Sequence, residues 1–346
     1  MYFKSLRWYQ YNRRLKAPLV MMGQRLTRRY GILIEGVTDT GLSLWSEAAP
    51  LPGLHRETVE QILTLRHEAG FLLTNLNSSE REPNVLTTGA WPPSLRFALQ
   101  GLWLQIFAGN QGRALHAALN PGSVSSVQIN ALVTMADDEK SLSAIIENFS
   151  SIKIKVGRHS PEKETSFVNK VARMLKKNAE IRLDANRSWS LEEAVRFADR
   201  LQAPIEYIEE PLKKPSDLED FFAQTGVPFA LDESLRDLRP DAVQFPRGCK
   251  ALVLKPSLHG IFKTLAWARA AQNAGIYCTI SSVFESAVGL NLLAHLAAAL
   301  SGKTAHGLDT SRFFENDLAK LDTPAADIIS AAQQIEPDRA LLQEVP

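Results

Sequence analysis

Two lysines and three carboxylates recur at similar intervals through the middle of the chain. Lys155, Asp184, Glu209, Asp232 and Lys255, followed by Ser281, are separated by 29, 25, 23, 23 and 26 residues. Three carboxylates brought to one place repel one another and rise in pKa unless a cation stands between them. A divalent ion resolves that conflict, and an all-oxygen donor set without Cys or His favours Mg2+ over zinc or copper. The two lysines then flank the ion. Their ammonium groups are expected to be pushed toward neutrality by the metal and, for Lys155, by Lys153 two residues away. A lysine so shifted can remove a proton at neutral pH. Singly, these residues say less: a strand-end Asp commonly caps the next helix, Asp184 before "ANRSW" suits an Asx-type turn, and a K-x-K pair commonly faces water. The joint recurrence is what points to a site.

The elements that must position them are short apolar strands. In "SSIKIKVG" the side chains alternate, so Ile152, Ile154 and Val156 share one face while Lys153 and Lys155 share the other. Comparable runs are "SVQINALV", "EIRLDA", "IEYIEE", "PFALDE", "KALVLKP", "YCTISS" and a weaker "TAHGLD". Amphipathic helices fit between most of them, for example "SLEEAVRFADRLQ" with Ser190 as N-cap. Eight strands joined this way predict a barrel of parallel strands over 123–310. An open doubly wound sheet is the alternative, but no G-x-G-x-x-G follows the first strand. Barrel enzymes build their sites at the C-terminal ends of the strands, where all six residues fall, so the K-x-K face is expected to point into the barrel mouth.

Before the barrel, residues 1–122 read as a separate α+β layer, with "NPGS" at 120–123 as the boundary turn. Its strands are "SLRWYQYNRRL", "RRYGILIEGVTD" and "LSLWSEA". One helix is expected to end at Gly70 and another follows Pro92 and Pro93. The last stretch, 311–346, reads as loop and short helix. The near balance of 39 basic and 38 acidic residues offers no broad footprint for nucleic acid or an anionic membrane, which leaves a small molecule as the expected partner. Cys249 and Cys278 are too few for a disulfide framework and read as buried thiols in a reducing cytoplasm. The N-terminus lacks an apolar signal region, and the best apolar run, "SAVGLNLLAHLAAAL", is interrupted by Asn291 and His295, so no membrane span is expected. Nothing in the sequence speaks to oligomeric state.

With these residues in place, the chain resembles the enolase superfamily in its branch with K-x-K on the second barrel strand and a lysine on the sixth. The matching stretches are "KIK" (153–155), "DAN" (184–186), "IEEP" (208–211), "LDES" (231–234), "VLKPS" (253–257) and "SSVFES" (281–286). Within that branch, "LKPSLHG", "SSVFESAVGL" and "HGLDT" look most like the o-succinylbenzoate synthase family of menaquinone biosynthesis. The resemblance implies a modified (β/α)7β TIM-type barrel under an N-terminal α+β capping domain completed by the C-terminal tail. It implies that Asp184, Glu209 and Asp232 ligate Mg2+, with Mn2+ able to substitute, and that Asn186 and Arg182 support the metal layer. Glu210 and Glu233 would be supporting or structural. Lys155 would take the proton α to the substrate carboxylate. Lys255 would carry charge across the ring and Lys153 would hold the carboxylate.

The reaction so implied is dehydration of 2-succinyl-6-hydroxy-2,4-cyclohexadiene-1-carboxylate to o-succinylbenzoate through an enediolate. Ser281 and Ser282 would position the succinyl carboxylate. The stretch "KAPLVMMGQRL" (16–26), with Gly23 and a Met pair, falls where the family keeps a mobile loop over the barrel mouth, and "PLPG" (50–53) falls in a second cap loop. His159 and His306 lack a metal partner at ligand spacing and read as structural or exposed. Two other readings stay open. N-acylamino acid racemases and dipeptide epimerases use the same site, although dipeptide epimerases carry Asp-x-Asp on the last barrel strand where this chain offers only Asp309. A non-catalytic barrel is the third, against which the complete residue set argues.

Overall fold

Alternating apolar and polar residues in the first fifty positions build a long antiparallel hairpin and a third strand. In the computed structural model these are β1 (Phe3–Met21), β2 (Gln24–Thr38) and β3 (Ser43–Ala48). The structure describes all residues except Met22, Ser78, Lys177, Asn178, Ser301, Lys303 and Gln333, and the backbone alone of Met21. The segment 16–26, expected as a loop, is the far end of this hairpin. Pairing resumes at Leu19↔Leu26 after a register shift beyond Arg14. The physical reason is an apolar anchor: Leu19 and Leu26 pack against buried Leu51, Val283 and Phe284, which keeps the strands paired past the bulge. The Met pair lies outside the described residues.

The helix expected to stop at Gly70 also behaves differently. Thr58 and Gln61 form a capping box for Val59–Thr64, the chain steps at Leu65, and a second helix, Arg66–Asn75, runs through Gly70. Burial of Ala69 and Leu73 on one side outweighs the modest helix cost of the glycine. The helix after Pro92 and Pro93, Pro93–Asn110, is buried over most of its length.

In the second half, "SVQINALV" divides in two. β4 (Ser126–Gln128) leaves the barrel and will pair with the tail, whereas β5 (Ala131–Val133) opens a parallel sheet. The sheet continues through β6 (Ser151–Lys155), β7 (Glu180–Asp184), β8 (Tyr207–Glu209), β9 (Phe229–Leu231), β10 (Cys249–Leu254) and β11 (Tyr277–Ile280), in sequence order. Helices such as Pro161–Met174 and Leu191–Ala198 connect them, the latter with the Ser190 cap and a reciprocal bond from Glu193. The expected eighth strand "TAHGLD" is reduced to two parallel bridges, Ile129↔His306 and Ser281↔Gly307. These join the two edges of the sheet: Asn130 N donates to His306 O at 2.9 Å and Gly307 N to Ile280 O at 2.8 Å. Tyr207, Ala230, Ala251 and Val253 fill the interior below the mouth. The tail is not loop and helix alone. β12 (Ile328–Ser330) pairs with β4, and β13 (Gln343–Val345) adds to the capping sheet beside β1. Among the described residues no helix is long and apolar enough to cross a membrane.

His306 pins the closure, because its Nδ1 accepts from Ile280 N at 3.0 Å and its ring is buried. Burial, with the Arg182 charge nearby, pushes its pKa down to about 3 from the ordinary 6.5. The unfolded chain therefore binds a proton near pH 6.5 that the folded chain refuses until about pH 3. The contribution of neutral His306 is full above pH 6.5 and is lost as the pH falls through that window, by about 2 kcal/mol between pH 6.5 and 5. His306→Asn, which keeps an acceptor and loses the titration, should flatten the pH dependence of urea unfolding in that range by about this amount. An unchanged slope would refute it.

Candidate active site

Strand alternation carries the side chains of β6 to β10 into one ring at the barrel mouth. The register pairs Lys155 with Asp184 and Asp184 with Glu209, and Asp232 and Lys255 directly follow β9 and β10. Lys153 Nζ bridges Asp184 Oδ2 at 2.8 Å and Glu209 Oε2 at 2.7 Å. Lys155 Nζ reaches Asp184 Oδ2 at 2.6 Å and Asn186 Oδ1 at 2.9 Å, and Lys255 pairs with Asp232. The three carboxylates are buried. The K-x-K face thus points inward.

The electrostatics are those of crowded charge in a low-dielectric place. Burial, then Asp184 and Asp232, push Glu209 up to about 8 despite Lys153 and Lys255. Glu209 Oε1 is buried without a hydrogen-bond partner. Burial alone would raise Asp184, yet Lys153 and Lys155 hold it far below the usual carboxylate range. Without a cation between the carboxylates, two of the lysines are held as cations. Burial disfavours the charge on Lys153, but Asp184 and Glu209 outweigh it and raise its pKa; Asp232, Glu209 and Glu233 do the same for Lys255. Ammonium groups paired directly with carboxylates are stabilised as cations.

These features bear on whether a cation fits. Among the described residues, no three carboxylates, imidazoles or thiolates stand as a ready-made metal cage, because lysine ammonium groups occupy several of the oxygens. The donor set itself suits a hard divalent ion: all oxygen, three adjacent strands, a buried Glu209 oxygen without a partner among the described residues, and that same carboxylate driven toward protonation by burial and by its neighbours.

The surrounding residues hold this ring in shape. Glu210, at φ 41°, accepts from Asp232 N at 2.9 Å, Ser234 N at 2.7 Å and the Ser234 hydroxyl at 2.9 Å, and is paired with Arg187 at 3.0 Å. It fixes the turn that presents Asp232. Asn186, at φ 44°, donates to Glu233 at 3.2 Å while accepting from Lys155. Buried Glu164 accepts from the backbone N–H groups of Gly157, Arg158 and His159, fixing the loop that follows Lys155. Nothing in the sequence marked Glu164, whose partners are successive main-chain amides.

Arg182 does not join the ring. Two residues before Asp184 on the same strand face, it lies one layer deeper and binds Glu206 at 2.6 Å, Thr304 Oγ1 at 2.7 Å and the Ala305 carbonyl. The support of the metal layer expected of it would act from this deeper position, through Glu206, Thr304 and Ala305. Ser281 follows β11 as expected and donates its N–H to Leu254 O at 2.8 Å, while the Ser282 hydroxyl is shared with Thr310 Oγ1 at 2.6 Å. His159 is exposed. In "PLPG", Leu51 is buried and its N–H donates to His55 Nδ1 at 2.9 Å. Asp309 lies 2.6 Å from Arg312 Nε in a close but poorly aligned pair, and burial pushes its pKa up to about 7. Cavities of about 430 and 840 Å3 lie against the capping sheet, and no residue of the ring lines either.

Residues 137–332 match the family described as Enolase C-terminal domain-like, and residues 3–100 match MenC, N-terminal domain. The o-succinylbenzoate synthase of Vibrio cholerae is 30% identical over 329 residues, covering 91% of both chains. That of Yersinia pseudotuberculosis is 31% identical over 310 residues, covering 87% of this chain and 88% of its own. The chain belongs to the o-succinylbenzoate synthase family of the enolase superfamily. It is an enzyme of that superfamily, with the capping layer and TIM-type barrel of the fold. Solved structures share the architecture at lower identity. An N-succinyl Arg/Lys racemase from Bacillus cereus superposes with a TM-score of 0.83 at 20% identity over 100% of both chains. A dipeptide epimerase from Cytophaga hutchinsonii, solved with Mg and a dipeptide, gives 0.82 at 21% over 100% of this chain and 99% of its own.

Proposed function

We propose that this chain dehydrates 2-succinyl-6-hydroxy-2,4-cyclohexadiene-1-carboxylate to o-succinylbenzoate, the activity named for its relatives. The observation that carries the reading is the ring itself, with Lys155 and Lys255 on the second and sixth strands flanking three carboxylates on the strands between. Asp184, Glu209 and Asp232 would hold Mg2+. When bound, the ion would supply charge stabilisation to the substrate carboxylate as it becomes more negative. Lys155 Nζ takes the proton α to that carboxylate. It then returns the proton to the departing hydroxyl, so the C–H and C–O bonds break, water leaves and the ring becomes aromatic. A single group suffices when both events occur on one face. Lys255 stands across the ring as a fixed cation, and Lys153 holds the substrate carboxylate. Asn186 orients Lys155, while Ser281 and Ser282 receive the succinyl carboxylate directly or through water.

Removing a carboxylate tests the site while leaving Lys155 and its partner Asp184 in place. Asp232→Asn should weaken Mg2+ binding by more than the roughly 10–100-fold that loss of an outer partner costs, with turnover falling in parallel. Calorimetric Mg2+ titration and product absorbance measure the two. Full activity of the variant in excess chelator would overturn the metal assignment, and wild-type protein that forms no aromatic product would overturn the reaction.

A further inference from the structure

The segment 281–286, which carries Ser281 and Ser282, is held from the capping sheet by a buried guanidinium. Arg29 sits on β2 with 1% exposure. Its five hydrogen bonds all go to main-chain carbonyls: Ala49 at 2.6 Å, Pro50 at 2.8 Å and Tyr30 at 3.1 Å on the cap, and Phe284 at 3.1 Å and Val283 at 3.3 Å beyond β11. Its charge also acts on the buried Glu285 carboxylate, but its direct partners are carbonyls, and burying a cation on these is costly, so an apolar residue would serve mere packing better. Phe284 has φ 63°, a left-handed conformation that a bulky aromatic adopts only under constraint. Arg29 Nε fixes the carbonyl of that residue.

The same segment is tied at its far end. Glu47 on β3 accepts from Ser286 N at 3.0 Å, the Ser286 hydroxyl at 2.7 Å and Gly289 N at 2.8 Å. A Cβ at Gly289 would lie 2.5 Å from Glu47 Oε2, so this close approach requires glycine. On the barrel side, Ser281 N and Ser282 N donate to Leu254 O and Gly307 O. Between these anchors, Val283 N donates to Glu285 Oε2 at 2.7 Å and the Phe284 ring packs on Phe313, and it is Arg29 that holds the Val283 and Phe284 carbonyls from the capping sheet.

We infer that Arg29 is a positioning residue for substrate: from the capping sheet it holds Phe284 in its constrained conformation and so, together with the barrel bonds of Ser281 and Ser282, sets how the segment carrying the two serines is presented at the barrel mouth. This rests on the proposed reaction for its kinetic readout but not for its structural one. Arg29 touches neither lysine nor carboxylate of the ring, so its loss should act on substrate affinity and leave proton transfer nearly intact.

The test uses the full chain with Arg29→Met and Arg29→Lys, comparing steady-state kinetics on the cyclohexadiene carboxylate with amide hydrogen exchange across 281–289. Arg29→Met should raise KM by about tenfold or more, with kcat within about threefold, and Arg29→Lys should lie between it and wild type. Exchange in 281–289 should quicken in the same order while that of β6 to β8 stays unchanged. If Arg29→Met does not fold, the Lys variant carries the comparison. Folded variants with wild-type KM and wild-type exchange at 281–289, whatever their melting temperature, would overturn the inference. A fall in kcat at unchanged KM would do so too. If wild type makes no o-succinylbenzoate, the proposed reaction fails, and the exchange comparison still decides whether Arg29 holds the segment.

Discussion

Lys155→Ala is expected to lower kcat by about 10^4-fold, the upper end of what one general acid/base group contributes, because in the proposed reaction the Lys155 amine takes the proton and the ammonium so formed returns it. The geometry separates Lys155 from its neighbours. Its side chain is 21% exposed, against 12% for Lys153 and 14% for Lys255, so it is the most accessible of the three. It is held by one carboxylate and the Asn186 amide, whereas Lys153 is locked between two carboxylates. In the proposed one-base reaction Lys255 need only remain a cation, so Lys255→Arg, which keeps the charge but cannot act as a base, should lose far less, about 10^2-fold or under. Single-turnover formation of the aromatic product, with Mg2+ titration and circular dichroism as controls, separates these outcomes. If both variants are folded, metal-loaded and equally inactive, Lys255 is as demanding as Lys155 and the one-base assignment fails.

The ring was legible in the sequence because two regularities act together. A strand-helix unit returns to the same end of a barrel every 23 to 29 residues here, and alternation within each strand sends Lys153 and Lys155 to one face. What escaped has a common physical character. Arg29 binds Phe284 across 255 positions and Glu47 binds Ser286 across 239, and a contact at such separation leaves no periodicity. Glu164 binds main-chain amides, which look alike at every residue. The hairpin was read too short because its outer pairing rests on Leu19 and Leu26 meeting a barrel loop, not on local propensity. The partners of Arg182 escaped for a related reason: alternation gives the face of a strand but not the depth at which a long side chain finds its partner.

Substrate choice gives the other large effect. Incubated in D2O with Mg2+, the protein should convert the cyclohexadiene carboxylate to o-succinylbenzoate rapidly while exchanging no α-proton of a free dipeptide on the same timescale. Aromatisation pulls the dehydration forward, so a site of moderate complementarity can accomplish it; racemisation has no such pull and needs two groups placed to exchange protons on opposite faces. A dipeptide also brings a free ammonium that needs a carboxylate partner. In the stretch where one is expected, Asp309 lies beside Arg312, its pKa is raised by burial, and no second acid stands in "HGLDT". NMR of both incubations reads the result. Fast deuterium incorporation into dipeptides without aromatic product would overturn the assignment. Slow exchange into N-succinyl amino acids would be compatible with it, since these present the same succinyl group with an α-proton within reach of Lys155. That exchange should then vanish in Lys155→Ala along with the dehydration, because both begin with the same proton.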